Sequence, residues 1–319
     1  MYKYAAAIGA DIGHLTIRVA VVRLDGEVIR EESYPLNKDR NKTYIITGLL
    51  KAIKDIRQSV ASDGLNPISI GVSAKGFIDH EKGIILGPDQ GIKEWKNVTL
   101  ARILYRETGL PAFIGNDANL MTIAEQRYGA ANGFENVVFV ALRTGIGGGI
   151  IINGKLYRGV NNAGGEIGQM IINFSGGESE TGIRGSFEHF ASSSALVRRY
   201  LEEKAPGKKD SSGISAKDIF FMSYKKDPVA VKVVKENAYL VGIGIANLIT
   251  IFAPEIIVLG GGMAQARDNY INMIRESAFK NSLENCRSEV KIERAALGPS
   301  AALIGAAYYS LTRLAGRKI

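Results

Sequence analysis

The chain has 319 residues, with 40 Lys and Arg against 32 Asp and Glu, a net charge of +8 and 46% apolar content. That balance allows one large domain or two ordinary ones with a full core, and it excludes disordered and collagen-like chains. The most apolar stretch, from Val241 to Gly262, is broken by Asn247, Thr250, Pro254 and Glu255, which argues against a membrane-spanning helix.

The N-terminal residues reach Asp11 before an apolar signal core forms, so no secretory signal is expected. Tyr4 to Ala10 reads as a strand, Asp11-Ile12-Gly13 as a turn, and Ile17 to Leu24 as a second strand before an Asp25-Gly26 hairpin turn. From Asp39 to Ser62, apolar residues at three-to-four spacing predict an amphipathic helix. Ile68 to Val72 is a short strand. Leu100 to Thr108 is a helix closed by Gly109, Ala112 to Gly115 a strand, and Asp117 to Tyr128 a helix ended by Gly129. From Asn136 the opening pattern returns: strand Val137 to Leu142, a glycine turn from Thr144 to Gly149, and strand Ile150 to Ile152. This is a weak internal repeat. A polar, glycine-rich loop, Ser175 to Gly185, precedes helices at Ser192 to Lys204 and Pro228 to Phe252. Strand Ile256 to Leu259 runs into Gly260-Gly261-Gly262, and a last helix, Ser300 to Leu314, has Ser300 as its expected cap.

Strands alternating with helices predict an α/β architecture, and the repeat predicts two related lobes with a ligand cleft between them. Cys286 is the single cysteine, so no disulfide forms within one chain and a cytoplasmic home is expected. Basic residues are scattered; Gly207-Lys208-Lys209 and Lys225-Lys226 are short runs without interleaved aromatics. They read as solvated surface, and nucleic acid is not an expected partner because a strand opens the sequence in place of a helix-turn-helix module.

No P-loop is present, and the Gly145–Gly149 run opens a strand where a dinucleotide fingerprint must open a helix. Each glycine turn alone reads as a hairpin. Taken together, the turns at Asp11–Gly13, Thr144–Gly149 and Gly260–Gly262 form a candidate phosphate cradle, with Asp11 able to hold a metal ion through water. Asp117, in Gly115-Asn116-Asp117-Ala118-Asn119, has two readings that stand about even. Either Asn116 or Asp117 is a helix cap, or Asp117 is a general base for a substrate hydroxyl.

The set Ala7–Gly13, Gly115–Asn119, Thr144–Gly149, Gly165-Glu166-Ile167-Gly168 and Pro254–Gly262 resembles the ROK family of repressors, open reading frames and sugar kinases. The resemblance covers nearly the whole chain in the expected order. It implies a two-lobed, actin-like, hexokinase-type fold, with a smaller lobe from 1–117 and 300–319 and a larger one from 118–299. It also implies ATP and Mg²⁺ as cofactors, a small-molecule sugar as ligand, and a homodimer. Asp117 matches the catalytic base. Asn116, Asp89, Gly76, Glu166, Gln169 and Glu188 fall at sugar-contacting positions, with Trp95 shortly after Asp89. Asp11 and Gly13 match the first phosphate motif, Thr144, Gly145 and Gly147 the second, and Gly260, Gly261 and Gly262 the adenosine side.

The departures are specific. Gln169 stands where the family has a zinc-binding His, and Ser179, Thr181 and Ser186 stand where it has three zinc cysteines, so no structural zinc is expected. His189 nearby is a lone histidine. His14-Leu15-Thr16 replaces the usual Gly-Thr pair after Gly13, and Leu15 has no hydroxyl; a bulge is needed to turn Thr16 inward. Arg143 replaces a glycine and Lys75 a proline. Two readings follow: an ATP-dependent kinase of a hexose or N-acetylhexosamine with Asp117 as base, or a sugar-binding transcriptional regulator with weak or no kinase activity. A third has Lys75 and Arg143 serving an anionic sugar or another phosphoryl donor.

Overall fold

A computed structural model of the protein describes residues 5–37, 40–87, 92–178, 182–204 and 213–317. Asp89, Ser179, Thr181 and the 207–209 basic run lie outside the described residues. The chain divides into two compact units, one of Met1–Gly133, Lys155–Gly164 and Ala296–Ile319, the other of Phe134–Gly154 and Gly165–Ala295.

In the first unit, β1 (Ala6–Ile12), β2 (Thr16–Arg23), β3 (Val28–Pro35), β4 (Ile70–Ala74) and β7 (Ala112–Asn116) make one sheet in the order β3-β2-β1-β4-β7. β1 and β2 pair antiparallel, while β1, β4 and β7 run parallel. A small hairpin, β5 (Ile78–Asp79) with β6 (Ile84–Ile85), follows β4. Helix α1 (Lys42–Ala61) is capped by Asn41, which accepts from the Tyr44 N–H at 2.9 Å. It buries Ile45, Leu49, Ile53, Ile56 and Val60, the face that the sequence spacing predicts. Helix α2 (Leu100–Thr108) stops at Gly109, whose φ of 72° is left-handed. Trp95 is buried in the core beside Ile92 and Val98.

Two further helices complete this unit, α3 (Asp117–Tyr128) and α10 (Ala301–Leu314). Helix α10 packs against β1, β4 and α3. The approach is so close that a Cβ on Gly9 or Gly71 would collide with the α10 carbonyls of Leu303 and Ala306. Helix α3 packs on α10, and the first unit takes in both helices together with Lys155–Gly164 and its β10 (Lys155–Leu156).

The second unit repeats the plan. β8 (Val137–Leu142) pairs antiparallel with β9 (Ile146–Ile152) and parallel with β11 (Ile256–Gly260), which is parallel to β12 (Lys291–Arg294). This matches the β2-β1-β4-β7 arrangement strand for strand, so the internal repeat is one of topology. Its helices are α4 (Phe187–Ala191), α5 (Ser193–Lys204), α6 (Ala216–Tyr224), α7 (Pro228–Phe252), α8 (Asp268–Lys280) and α9 (Glu284–Arg287). Helix α7 starts at the Asp227 cap with Pro228 in its first turn and buries Val233, Val241, Ile245 and Ile249. Among the described residues no helix is long and apolar enough to cross a membrane.

Three local expectations are corrected. β1 runs through Asp11 and Ile12, so its turn begins at Gly13. Gly147, Gly148 and Gly149 lie inside β9, opposite Ala141, Val140 and Phe139, so only residues 143–145 turn. Ser300 makes no cap bond; its hydroxyl donates instead to Glu31 at 3.0 Å.

Candidate active site

The first unit presents three parallel strand ends side by side, with Ile12, Ala74 and Asn116 in register across β1, β4 and β7. The C-terminal rim of parallel strands is where α/β folds bind ligands. One residue back, Asp11 pairs with Ser73, whose hydroxyl donates to its carboxylate at 2.7 Å. Asp11 is 9% exposed, a nearly buried carboxylate at the rim.

The turn after β1 is held from behind. Gly13 N–H donates to the Thr16 carbonyl at 2.9 Å. The buried Arg40 guanidinium donates to the His14 carbonyl and lies 2.9 Å from His14 Nδ1. His14 is thereby tied down, while Leu15 at the tip is 69% exposed. The register shift between β2 and β3 falls at Val21/Val22, so no bulge rotates Thr16 inward.

At the β7 end, Asn116 is the cap of α3. Its Oδ1 accepts from Asn119 N–H at 3.2 Å and its Nδ2 donates to the Gly76 carbonyl at 3.2 Å. Gly76 has φ of 94°, which only glycine adopts without strain. Asp117 is the first helical residue, and its Oδ1 accepts from Ala118 N–H at 2.9 Å. Of the two capping readings, Asn116 fills the role.

In the second unit, Arg143 N–H donates to the Gly145 carbonyl at 2.9 Å and closes the β8–β9 turn. Thr144 is exposed at its tip. Glu188, on α4, reaches this turn: its Oε2 accepts from Ile146 N–H at 2.8 Å. A Cβ at Gly145 would collide with that carboxylate, and one at Gly148 would strike Ile167. Gln169 Nε2 donates to Glu188 Oε1 at 3.4 Å, so Glu188 joins the second turn to the Gln169 loop. Glu166 stands just before the short 3₁₀ turn Ile167–Gln169. Gly261 has φ of 87°, and a Cβ there would collide with the Leu142 carbonyl. Gly260–Gly262 and the 143–145 turn are therefore neighbours, and a Cβ on Gly262 meets nothing within 4 Å. Glycines packed against one turn, with open space beside Gly262, fit a nucleotide's phosphates and sugar.

Ser186, at a zinc-cysteine position of the family, is buried and caps α4, accepting from His189 N–H at 3.3 Å. The His189 ring stacks edge-on against Phe190, and burial lowers its pKa. Among the described residues no group of three or more His, Cys, Asp or Glu side chains is placed to hold a metal ion.

Residues 7–313 match the ROK family. The chain belongs to the ROK family. It is 32% identical to a glucokinase of Halalkalibacterium halodurans over 308 residues, spanning 93% of this chain and 92% of that one. It is also 28% identical to the xylose repressor of Bacillus subtilis, over 95% of this chain and 76% of that protein. A ROK family glucokinase from Streptomyces griseus, solved with glucose and AMPPNP, superposes with a TM-score of 0.83 at 29% identity, covering 97% of this chain and all of the other. The fold is the two-lobed, actin-like α/β fold of ROK hexokinases.

Ser73 and Arg40 carry no local sequence signal of their roles. Ser73 is visible only once β4 is set in register with β1, whereas nothing near Arg40 in sequence marks it as the clamp on His14.

Proposed function

We propose that this ROK protein is an ATP-dependent kinase of a hexose or N-acetylhexosamine, with Asp117 as general base. The observation that carries the reading is the division of labour at the start of α3. Asn116 caps the helix, so capping does not account for an acid at Asp117. A carboxylate one residue beyond a strand end suits proton removal from a hydroxyl. Likeness to glucokinases over nearly the full length of both chains supports the same reading.

In this reading Asn116, Glu166, Gln169, Glu188, Asp89 and Gly76 orient the sugar through hydrogen bonds to its hydroxyls. Gly13 and the Thr144, Gly145 and Gly147 segment face the phosphates, Gly260–Gly262 the adenosine, and Asp11 holds a divalent ion through water. ATP supplies the phosphoryl group, and Mg²⁺ supplies charge neutralisation on its phosphates. Asp117 draws the proton from the sugar hydroxyl as the oxygen attacks. The reading includes a homodimer and no structural zinc.

A second reading, a sugar-responsive regulator with little turnover, is favoured by the first turn. Leu15 offers no hydroxyl there, and His14 is tied to Arg40. Purified protein with ATP, Mg²⁺ and a panel of hexoses, hexosamines and N-acetylhexosamines decides between them by ADP release. Sugar-dependent release supports the kinase; sugar binding without release supports the regulator.

A further inference from the structure

The middle strand of the site contributes a residue that none of the assigned roles uses. β4 lies between β1 and β7, with Ala74 in register with Ile12 on one side and Asn116 on the other. Just beyond the three strand ends stand Gly13, which opens the turn after β1, Lys75, and Asp117, the first residue of α3. Neighbouring strands stand about 4.8 Å apart, so Lys75 follows the middle one of three adjacent strand ends, between those that lead to the first phosphate turn and to the proposed base.

Its backbone is fixed. Gly76 turns sharply at a φ of 94°, and its carbonyl is held by Asn116 Nδ2. Its side chain is exposed and, among the described residues, makes no hydrogen bond or ion pair, although Asp11 lies in β1 and Asp117 follows β7 as the first residue of α3. Asp11 is bonded to Ser73, and Asp117 accepts from its own helix. An exposed cation with no hydrogen bond or ion pair among the described residues, on a fixed bend beside two acids that are bonded elsewhere, is arranged for an anion that arrives from outside.

We infer that Lys75 contacts the phosphoryl group as it passes from nucleotide to sugar. The inference rests on the kinase reading. In that reaction the sugar oxygen forms a bond to the terminal phosphorus, and the bond from that phosphorus to its bridging oxygen breaks. ADP leaves with the electron pair, and the hydroxyl proton goes to Asp117. Lys75 makes no covalent bond. It meets the charge spread over the equatorial phosphoryl oxygens, where cationic side chains contribute most to phosphoryl transfer. It also supplies a donor beside a turn in which Leu15 has none.

The test uses the full chain with Lys75→Met and Lys75→Arg, both at an exposed position. With ATP, Mg²⁺ and the best sugar of the panel, Lys75→Met should lower kcat about 100-fold and leave the sugar KM within about threefold. Lys75→Arg should recover to within about tenfold of wild type. Calorimetry with ADP, Mg²⁺, aluminium fluoride and that sugar should show about 30-fold weaker binding to Lys75→Met, with AMPPNP affinity within about threefold. An active wild type matched by an equally active Lys75→Met overturns the inference and leaves the kinase reading standing. So does a Lys75→Met that keeps its kcat and loses only affinity for glucuronate, which would make Lys75 a contact for an anionic sugar. A wild type that releases no ADP with any sugar overturns the kinase reading and this inference together.

Discussion

Glu125, near the end of α3, is fully buried, and its carboxylate accepts three backbone N–H groups. Oε2 takes Ala130 at 2.8 Å and Ala296 at 3.0 Å, and Oε1 takes Leu297 at 2.9 Å. One side chain thus fastens the turn after α3 to the segment where the chain re-enters the first unit. In Glu125→Gln an amide has one acceptor where the carboxylate has two. Its best orientation keeps the Ala130 and Ala296 bonds and turns the NH₂ toward the Leu297 N–H, donor against donor. Losing one charge-assisted bond and leaving a buried donor unpaired costs about 3 kcal/mol. In a domain of this size that lowers Tm by about 8 °C. Glu125→Ala strands all three donors and opens a cavity, a loss of about 5 kcal/mol. Thermal unfolding followed by circular dichroism measures both. A Glu125→Gln protein melting within about 1 °C of wild type would refute the reasoning.

Two further outcomes follow from half-buried groups. Burial pushes the His80 imidazole down to about 4, with Arg158 and Arg313 adding to the effect and Glu81 and Asp79 opposing it. The neutral ring is favoured by folding, so its contribution, at most about 3 kcal/mol, is complete above the unfolded value near 6.5 and is lost as pH falls toward 4. His80→Gln should therefore blunt the fall in Tm between pH 7.5 and 4.5 by about 5 °C, and an identical fall in both proteins would contradict this. Gly145→Ala should displace the Glu188 carboxylate and strip the Ile146 N–H of its acceptor, destabilising by about 1–3 kcal/mol. Glu188→Gln, which keeps an oxygen there, should stay within about 1 kcal/mol in denaturant titrations, and equal losses would argue against the contact.

Much of the framework was legible because punctuation residues mark it. Gly109, Asn116 and Pro228 bound α2, α3 and α7 at the residues their chemistry predicts. The glycine run departs from the sequence expectation for a tertiary reason. Gly147 to Gly149 look like a turn in isolation, but they continue a strand, and Gly148 is small because Ile167 packs on it. The Asp11–Ser73 bond needs strand register, and the Glu188–Ile146 bond joins residues 42 apart, so neither has a local signature. Ser300 had the right chemistry for a cap and was taken instead by Glu31 on a distant strand. At α3 the sequence left two capping candidates open, and geometry assigned the cap to Asn116.

The most direct test of the account is Asp117→Asn in the ADP-release assay, with sugar affinity and stability measured on the same samples. Asn116 still caps α3, so stability should change only by the lost helix-terminal charge, about 0.3–1 kcal/mol. Turnover should fall by about two to four orders of magnitude, while sugar affinity changes far less because the amide still accepts a hydrogen bond. A wild type that turns over and an Asp117→Asn protein that turns over equally fast would contradict the assignment of Asp117 as the base.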